Sequence, residues 1–368
     1  MVEKVPGTSA IMPRISVIVP AYNNPDVLEQ CLAALRTAAY SDVEIIVVDD
    51  ASTEDIAGVA GLGIRQFRLA KNSGPGAARN YGARYASGEV LLFVDADVVV
   101  APGTIKRVAC LFAEHPDVAA VFGSYDARPT ARGLVSQYRN LLHHFTHQHG
   151  QPEASTFWAG CGAIRRSVFN DVGGFDEKRF PRPSIEDIEL GYRLRRARHR
   201  IVLDKGLQGT HLKTWKFPSV VWIDVTRRAI PWARLMLESG SMPDDLNLKR
   251  GQRLSGGLVG AASLLLVLGV VWPGLTAVAA LAVLAVIGLN RDLFAFFARQ
   301  RGLAFAAACV PLHLLYYLYS GLSYLAVWIA WQVGAIRRPG DRQLAPDQQL
   351  SSLGQARPGS PPPKSRSE

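Results

Sequence analysis

The sequence predicts an α/β fold, a mostly parallel sheet with helices on both faces, followed by helices that cross a membrane. Three observations carry that prediction. Short apolar, β-branched runs alternate with helical stretches through the first third of the chain, the pattern of a sheet covered by crossover helices. One of those runs, residues 90–94, ends abruptly in Asp95 and Asp97. After Leu254 the chain turns apolar and almost uncharged over lengths that suit a bilayer.

Taken in order, residues 15–19 read as a strand, broken by Pro20, Tyr22 and the pair Asn23 and Asn24. A helix is expected from Pro25, with Val27, Leu28, Cys31, Leu32 and Leu35 on its inner face. Residues 43–48 are a second buried strand, closing on Asp49 and Asp50, with a short helix expected over 53–59 and a weaker strand over 64–69. Gly74, Pro75 and Gly76 open a helix that runs to about Ala86, and a turn at Gly88 leads into the central strand. Residues 118–122 are one more strand. Past Pro129 the alternation dissolves, with helices expected near 134–145, 184–198 and 218–237.

The apolar region divides into residues 254–289, interrupted at Trp272, Pro273 and Gly274, and residues 303–333. The first is long enough for two spanning helices in a hairpin. Basic residues before (Lys249, Arg250, Arg253), between (Arg291, Arg299, Arg301) and after (Arg337, Arg338) suggest cytoplasmic flanks. The second run fits a tight hairpin, a re-entrant segment or one long tilted helix, so the topology stays open. The expected organisation is an N-terminal extension (1–13), an α/β domain (14–240), membrane helices (250–336) and a disordered tail rich in Pro, Ser, Gln and Gly (337–368). No secretory signal is expected, since residues 1–13 hold no apolar core. The four cysteines of the 368 residues lie far apart, without metal-ligand spacing, and are expected as reduced thiols. The net charge of +10 suits an anionic lipid or a phosphorylated substrate. Nucleic acid is not expected as a partner, because no aromatic platform or binding motif accompanies the charge.

Residues two apart on an extended backbone point the same way, so Asp95 and Asp97 aim into one crevice at the sheet's carboxyl edge, where open α/β sheets bind ligands. Two close carboxylates call for a hard divalent cation, Mg²⁺ or Mn²⁺, which would then reach for phosphate oxygens. Three more features share that edge. Pro20 and Tyr22 could line a base pocket. Asp50 could accept from a nucleobase N–H or cap the following helix. Gly76 and Arg79 supply a helix N-terminus and a guanidinium suited to a pyrophosphate. Together they describe a nucleoside diphosphate site.

The motifs Ser16-Val-Ile-Val-Pro-Ala-Tyr-Asn23, Ile46-Val-Val-Asp-Asp-Ala-Ser52, Gly76-Ala-Ala-Arg-Asn80 and Phe93-Val-Asp-Ala-Asp97, continued by Phe157 to Arg165, Val172 to Asp176 and Ser184 to Leu194, resemble the family 2 glycosyltransferases. These are inverting enzymes of the GT-A fold that use nucleotide-activated sugars. The resemblance covers about residues 14 to 215. It implies that Asp50 contacts the base, that Tyr22 lines its pocket, that Asp95 lies by the ribose or metal and that Asp97 ligates the metal. Trp158, Gly160, Cys161 and Gly162 would form the wall where donor meets acceptor. Glu186 and Asp187 match the family's acidic pair, with Glu186 on the acceptor side and Asp187 the general base. His211 falls where relatives place a histidine near the metal or diphosphate. The residues themselves offer a competing role for Asp187, because Ser184-x-x-Asp187 also reads as a capping box.

The resemblance implies transfer from a nucleotide-diphosphate sugar, UDP-linked by expectation, to a lipid-linked or cell-surface glycan acceptor. The enzyme would sit multi-pass in the cytoplasmic membrane with its catalytic domain on the cytoplasmic side. Processive synthases of the family carry Gln-x-x-Arg-Trp; residues 211–215 (His-Leu-Lys-Thr-Trp) depart from it, which favours transfer of single sugars. A nucleotide-binding scaffold without turnover and a nucleotidyltransferase remain as alternatives. His143, His144, His147 and His149 are expected on a solvated or acceptor-side helix, and Arg193, Arg195, Arg196, Arg198 and Arg200 on a solvated face near anionic lipid. Arg227, Arg228, Pro231 and Trp232 read as an interfacial segment.

Overall fold

In the computed structural model, which describes residues 11–37, 40–56, 58 and 63–336, the first strand, β1 (Ile15–Ala21), is buried along almost its whole length. Val17 and Val19 enter one core and Ile18 the other, because successive side chains of a strand point to opposite faces. The next elements are α1 (Pro25–Arg36), β2 (Val43–Asp49), β3 (Ile64–Arg68), α2 (Pro75–Tyr85) and β4 (Val90–Val94). In β4, Val90, Leu92 and Val94 face the first core while Leu91 and Phe93 face the second. Both faces of the sheet are therefore apolar, as a sheet covered on each side by helices requires.

Beyond β4 come β5 (Val98–Val100), α3 (Thr104–Glu114), β6 (Val118–Tyr125), α4 (Leu134–Gln148), β7 (Cys161–Arg165), α5 (Arg166–Asp171), α6 (Glu186–Arg196) and β8 (Arg200–His211). The eight strands form one sheet in the order β3-β2-β1-β4-β7-β6-β8-β5. It is more mixed than expected. β1, β2, β3 and β4 run parallel, but β7 is antiparallel to both β4 and β6, and β5 to β8. The cause is local: the loop before β7 lies at the carboxyl edge of β4, where Gly160 O accepts from Asp95 N at 3.1 Å, so the chain can only run back along β4.

No helix forms over Thr53 to Ile56, against expectation, and the rest of that stretch lies largely outside the described residues. Asn23 accounts for this. Its side-chain oxygen accepts from the backbone amides of Thr53 and Glu54 (2.8 and 3.2 Å) and fastens the loop after β2 to the loop after β1.

After β8 the chain forms α7 (Phe217–Ile223), a π-helical stretch (Asp224–Ala229), α8 (Ile230–Ser239), a short 3₁₀ turn (Leu246–Leu248), α9 (Arg250–Leu268), α10 (Gly274–Leu289), α11 (Arg291–Arg301) and α12 (Leu303–Gln332). α9 and α12, of 19 and 30 residues, are long and apolar enough to cross a membrane, and α10 with α11 is a third candidate bent by 67°. α9 and α10 turn back on each other at Pro273, as the sequence suggests. The last apolar run is one continuous helix rather than a hairpin, with Pro311 inside it. Residues 1–10 of the expected N-terminal extension and the expected disordered tail, 337–368, lie outside the described residues.

Helix α11 packs Leu293, Phe296 and Phe297 onto Tyr138 and Leu141 of α4. The Tyr138 hydroxyl meets His313 Nδ1 of α12 at 2.9 Å. The helices after β8 are thus keyed to the α/β domain through α4, the helix that also lines the cleft.

Candidate functional site

The cleft is built at the carboxyl edge of the sheet by pairings distant in sequence. Val98 of β5 pairs with His211 of β8, and Leu212 N donates to Asp97 O at 2.9 Å. These contacts set His211 Nε2 3.4 Å from Asp97 Oδ2. The other ring nitrogen, Nδ1, meets the side-chain oxygen of Asn140 on α4 at 2.7 Å. With Nδ1 donating to Asn140, Nε2 donates to Asp97 when the ring is protonated and offers its lone pair to a cation when it is neutral. Tyr125 stacks on the His211 ring, centroids 4.2 Å apart and 9° from parallel. Burial alone would raise the Asp97 carboxyl; the hydrogen bond and charge of His211, with Lys213 behind it, hold it below its ordinary value.

Asp95 turns elsewhere. Its Oδ1 accepts from Arg79 Nη2 at 2.6 Å, and Arg79 Nη1 donates to Glu186 at 3.1 Å. Arg79 is buried, and its Nε has no hydrogen-bond partner among the described residues. Two expectations are corrected by this bridge. Arg79 is not a free cation for a pyrophosphate, because its terminal nitrogens are engaged by two carboxylates. Glu186 is not on an acceptor surface, since it is buried against Arg79 and also accepts from Ser184 N at 2.9 Å.

Asp187 is fixed by the loop that also fixes Asp95. Its Oδ2 accepts from Ala159 N at 3.1 Å, one residue before the Gly160 carbonyl that receives Asp95 N. Its Oδ1 accepts from Ile188 N at 2.8 Å. The capping box does not form: the residue before α6 is Ile185, and the Ser184 hydroxyl donates instead to Arg227 O at 2.6 Å. Burial, reinforced by the neighbouring Glu186 carboxylate, pushes the Asp187 carboxyl up to about 7 against the pull of Arg79. That value suits proton exchange near neutrality.

Asp50 accepts from Ser73 N (2.7 Å) and Gly74 N (2.8 Å), so it shapes the turn into α2 and spends an oxygen on each amide. Burial raises its carboxyl above the ordinary value in spite of those two bonds. Gly74 sits at φ 87°, and a Cβ there would come within 2.8 Å of Pro181 O, so only glycine fits the turn. Gly76 follows at the buried N-terminus of α2. Tyr22, 48% exposed, stands at the mouth beside the partly buried Pro20.

In the expected wall, Trp158 is partly exposed and meets Tyr125 edge-on at 4.9 Å. Gly160 is small for Trp158's sake: a Cβ would lie 2.3 Å from the indole. Gly162 is likewise closed off by the Trp158 carbonyl and the Phe157 ring. Cys161 is corrected outright, because its side chain lies in the core with Cys31, fully buried. β7 turns it away from the cleft.

The sequence reading missed Tyr125, Asn140 and the cluster around Asp224. Asp224 is buried and held by both terminal nitrogens of Arg139 (2.7 and 2.9 Å), by the Tyr319 hydroxyl of α12 and by Arg228 at 3.3 Å. No local pattern announces these residues, since each acts through a partner far along the chain. Among the expected histidines, His144 and His147 give their Nδ1 atoms to the carbonyls of Tyr125 and Gly123 (2.7 and 2.8 Å), and His143 packs on Trp158 at 4.8 Å. That helix face is packed on β6 rather than solvated. In the arginine run, Arg193, Arg195 and Arg200 pair with Glu189, Glu153 and Asp117. Trp232 packs against Tyr192 rather than standing free at an interface.

Among the described residues no three metal-ligating side chains cluster. Asp97 and His211 are two, and a cation bound there needs oxygens from a ligand, as Mg²⁺ and Mn²⁺ do at phosphate sites. The residues fit such an ion, because an imidazole nitrogen and a carboxylate oxygen, both suitable donors, lie 3.4 Å apart.

Comparison with known proteins agrees with this geometry. The model of the family described as Glycosyl transferase family 2 matches residues 16–173. A validoxylamine A glucosyltransferase of Streptomyces hygroscopicus subsp. jinggangensis is 31% identical over 224 residues, 51% of this chain and 53% of the relative. A pre-mycofactocin glycosyltransferase of Mycobacterium tuberculosis is 30% identical over 200 residues, 51% of this chain and 40% of the relative. The chain thus spans about half the length, or less, of the curated relatives it matches. Among solved structures, the mannosyltransferase PcManGT from Pyrobaculum calidifontis, in complex with GDP-Man and Mn²⁺, superposes with a TM-score of 0.53 at 19% identity, covering 87% of each chain. That likeness establishes the fold as GT-A. Residues 16–173 thus match the model of the family 2 glycosyltransferases, on a fold of the GT-A type.

Proposed function

We propose that the protein is an inverting glycosyltransferase that moves a sugar from a nucleotide-diphosphate donor, UDP-linked by preference, to a lipid-linked or cell-surface glycan acceptor. The observation that carries the reading is Asp187. Its carboxyl is pushed up to about 7 and held by the 158–160 loop, which also holds the backbone of Asp95, two residues before Asp97. Tyr22, Pro20 and the turn built by Asp50, Gly74 and Gly76 would receive the nucleotide. Trp158 would face the acceptor.

In this mechanism Asp187 takes the proton of the acceptor hydroxyl, and the oxygen attacks the anomeric carbon opposite the diphosphate. The bond to the diphosphate breaks as the new one forms, so the configuration inverts. Asp97 and His211 would hold a divalent ion, Mg²⁺ or Mn²⁺, which supplies positive charge beside the leaving diphosphate. The Mn²⁺ of the Pyrobaculum calidifontis mannosyltransferase complex supports that choice by analogy. The domain would run over residues 14–240 and the membrane part over 250–336, multi-pass in the inner membrane with the catalytic domain on the cytoplasmic face; the basic residues flanking the apolar helices support that side.

The test uses the full chain in detergent with a panel of sugar nucleotides. One of them is expected to yield free nucleoside diphosphate in a reaction that a chelator stops and Mn²⁺ or Mg²⁺ restores. Binding without release would favour a scaffold, pyrophosphate as product a nucleotidyltransferase, and long polymer a processive synthase. Any of the three overturns the reading.

A further inference from the structure

The pairing of Val98 with His211 fixes the backbone of His211, and the Tyr125 ring fixes its plane, stacked at 4.2 Å and 9°. Neither decides which edge of the imidazole faces Asp97. Turned over within the same plane, the ring would carry carbons where its nitrogens stand. One contact decides it: His211 Nδ1 lies 2.7 Å from the side-chain oxygen of Asn140. Of the two ring atoms that can occupy that place, only Nδ1–H is a donor. The amide oxygen therefore selects the orientation that sets Nε2 3.4 Å from Asp97 Oδ2. Because Nδ1 then holds the proton, the lone pair of the neutral ring is on Nε2.

Asn140 differs from its neighbours on the same helix face. Ser136, Asn140, His144 and His147 follow the three- and four-residue spacing that lines one face of α4. Ser136 Oγ accepts from Trp215 N at 2.7 Å, and the Nδ1 atoms of His144 and His147 meet the carbonyls of Tyr125 and Gly123. Those three take backbone groups and seat the helix on β6 and the end of β8. The other flank of α4 is held as well, Tyr138 by His313 and Arg139 by Asp224. Of the four, Asn140 takes a side chain instead, that of His211. It does so at a cost: the residue is 1% exposed, and its Nδ2 has no hydrogen-bond partner among the described residues. A buried amide satisfied on one side only destabilises a fold, and the seating of α4 does not call for it.

We propose that Asn140 is the positioning residue of the cation site: its amide oxygen holds His211 in the orientation and tautomer that offer the Nε2 lone pair to a divalent ion beside Asp97. Asn140 acts through His211 and supplies no ligand of its own. This rests on the reading of Asp97 and His211 as the residues that hold the ion. An amide turned the other way, with Nδ2 facing the ring, would do the reverse. It would occupy the Nδ1 lone pair and leave Nε2–H pointing at Asp97, with nothing to give a cation. The two arrangements differ in which substitution at residue 140 the site tolerates.

The test is Mn²⁺ binding to the full chain in detergent, first freed of metal by a chelator, read as the loss of the free-ion signal in electron paramagnetic resonance. Asn140→Leu, close in shape and unable to accept, is expected to weaken Mn²⁺ binding by about 10–100-fold. Asn140→Asp, which only accepts, should keep the affinity at or above that of the wild type. In a His211→Ala background, itself weakened, Asn140→Leu should cost less than about twofold more, because the pair acts as one unit. The unfolding midpoint in denaturant is followed in each variant. A lowered midpoint with Mn²⁺ affinity unchanged would give Asn140 a purely structural role and overturn the inference. Equal weakening by Asn140→Leu and Asn140→Asp, the mark of a turned amide, would overturn it too, as would an undiminished effect of Asn140→Leu in the absence of His211. If His211→Ala binds Mn²⁺ as the wild type does, the metal reading falls and takes the inference with it. If His211→Ala weakens binding and Asn140→Leu does not, the inference alone falls. Should Asn140→Leu fail to fold, Asn140→Ala decides in its place, since Ser136, His144 and His147 still seat the helix.

Discussion

Asp187→Asn is expected to lower turnover by on the order of 10²–10⁴ while leaving nucleoside diphosphate affinity unchanged. Asparagine is nearly isosteric, and its side-chain oxygen can still accept from Ala159 N, the bond that holds the 158–160 loop and through it Asp95. What it cannot do is take a proton. The wild-type rate should rise with pH through about 7, where the carboxyl loses its proton, and level off above. The variant's residual rate should lack that limb. For stability the sign is opposite. A carboxyl whose folded-state value is raised favours folding while protonated, and that contribution is lost as the pH rises toward 7. Near-normal turnover in the variant would remove Asp187 from the chemistry.

Arg79→Met is the substitution expected to damage the fold most. Arg79 is buried between Asp95 (2.6 Å) and Glu186 (3.1 Å), and removing it leaves a fully buried carboxylate and a partly buried one uncompensated. Breaking a buried ion pair from one side costs about 3–5 kcal/mol. Since Asp95 keeps 30% of its side chain exposed, most of the loss should come from Glu186. Adding Glu186→Gln to Arg79→Met should therefore recover part of the stability, read as the unfolding midpoint in denaturant. If Arg79→Met costs less than about 1 kcal/mol, the bridge is not what holds α2 against α6.

What could be read from the sequence was what is local. The short apolar, β-branched runs at residues 15–19 and 90–94 yield β1 and β4 because both faces of those strands are buried. β8, whose sequence mixes Lys205, Gly206, Gln208 and Gly209, carries no such signal; its pairing with β6 and β5 makes it a strand. The direction of β7 follows from where the Trp158–Gly160 loop lies, which no property of Cys161 to Arg165 encodes. The site divides in the same way. Asp95 and Asp97 stand out because packing does not ask for carboxylates at a strand's end. Their different fates do not, since Asp95 is claimed by Arg79, itself tied to a carboxylate 107 residues on. His211 reaches Asp97 through a strand pairing across the sheet. Arg228 reads as part of an interfacial segment, and that Arg139 of α4 holds the same Asp224 it pairs with shows only in the fold.

The central claim is that Asp97 and His211 grip a cation at the leaving group while Asp187 stands ready across the same cleft. The most direct measurement is the anomalous scattering of Mn²⁺ in crystals of the full chain grown with nucleoside diphosphate. The account predicts a manganese peak within about 2.0–2.2 Å of an Asp97 oxygen, a hard-cation distance, with diphosphate oxygens completing its shell on the Asp187 side. Nucleotide and manganese bound together away from Asp97 would contradict it.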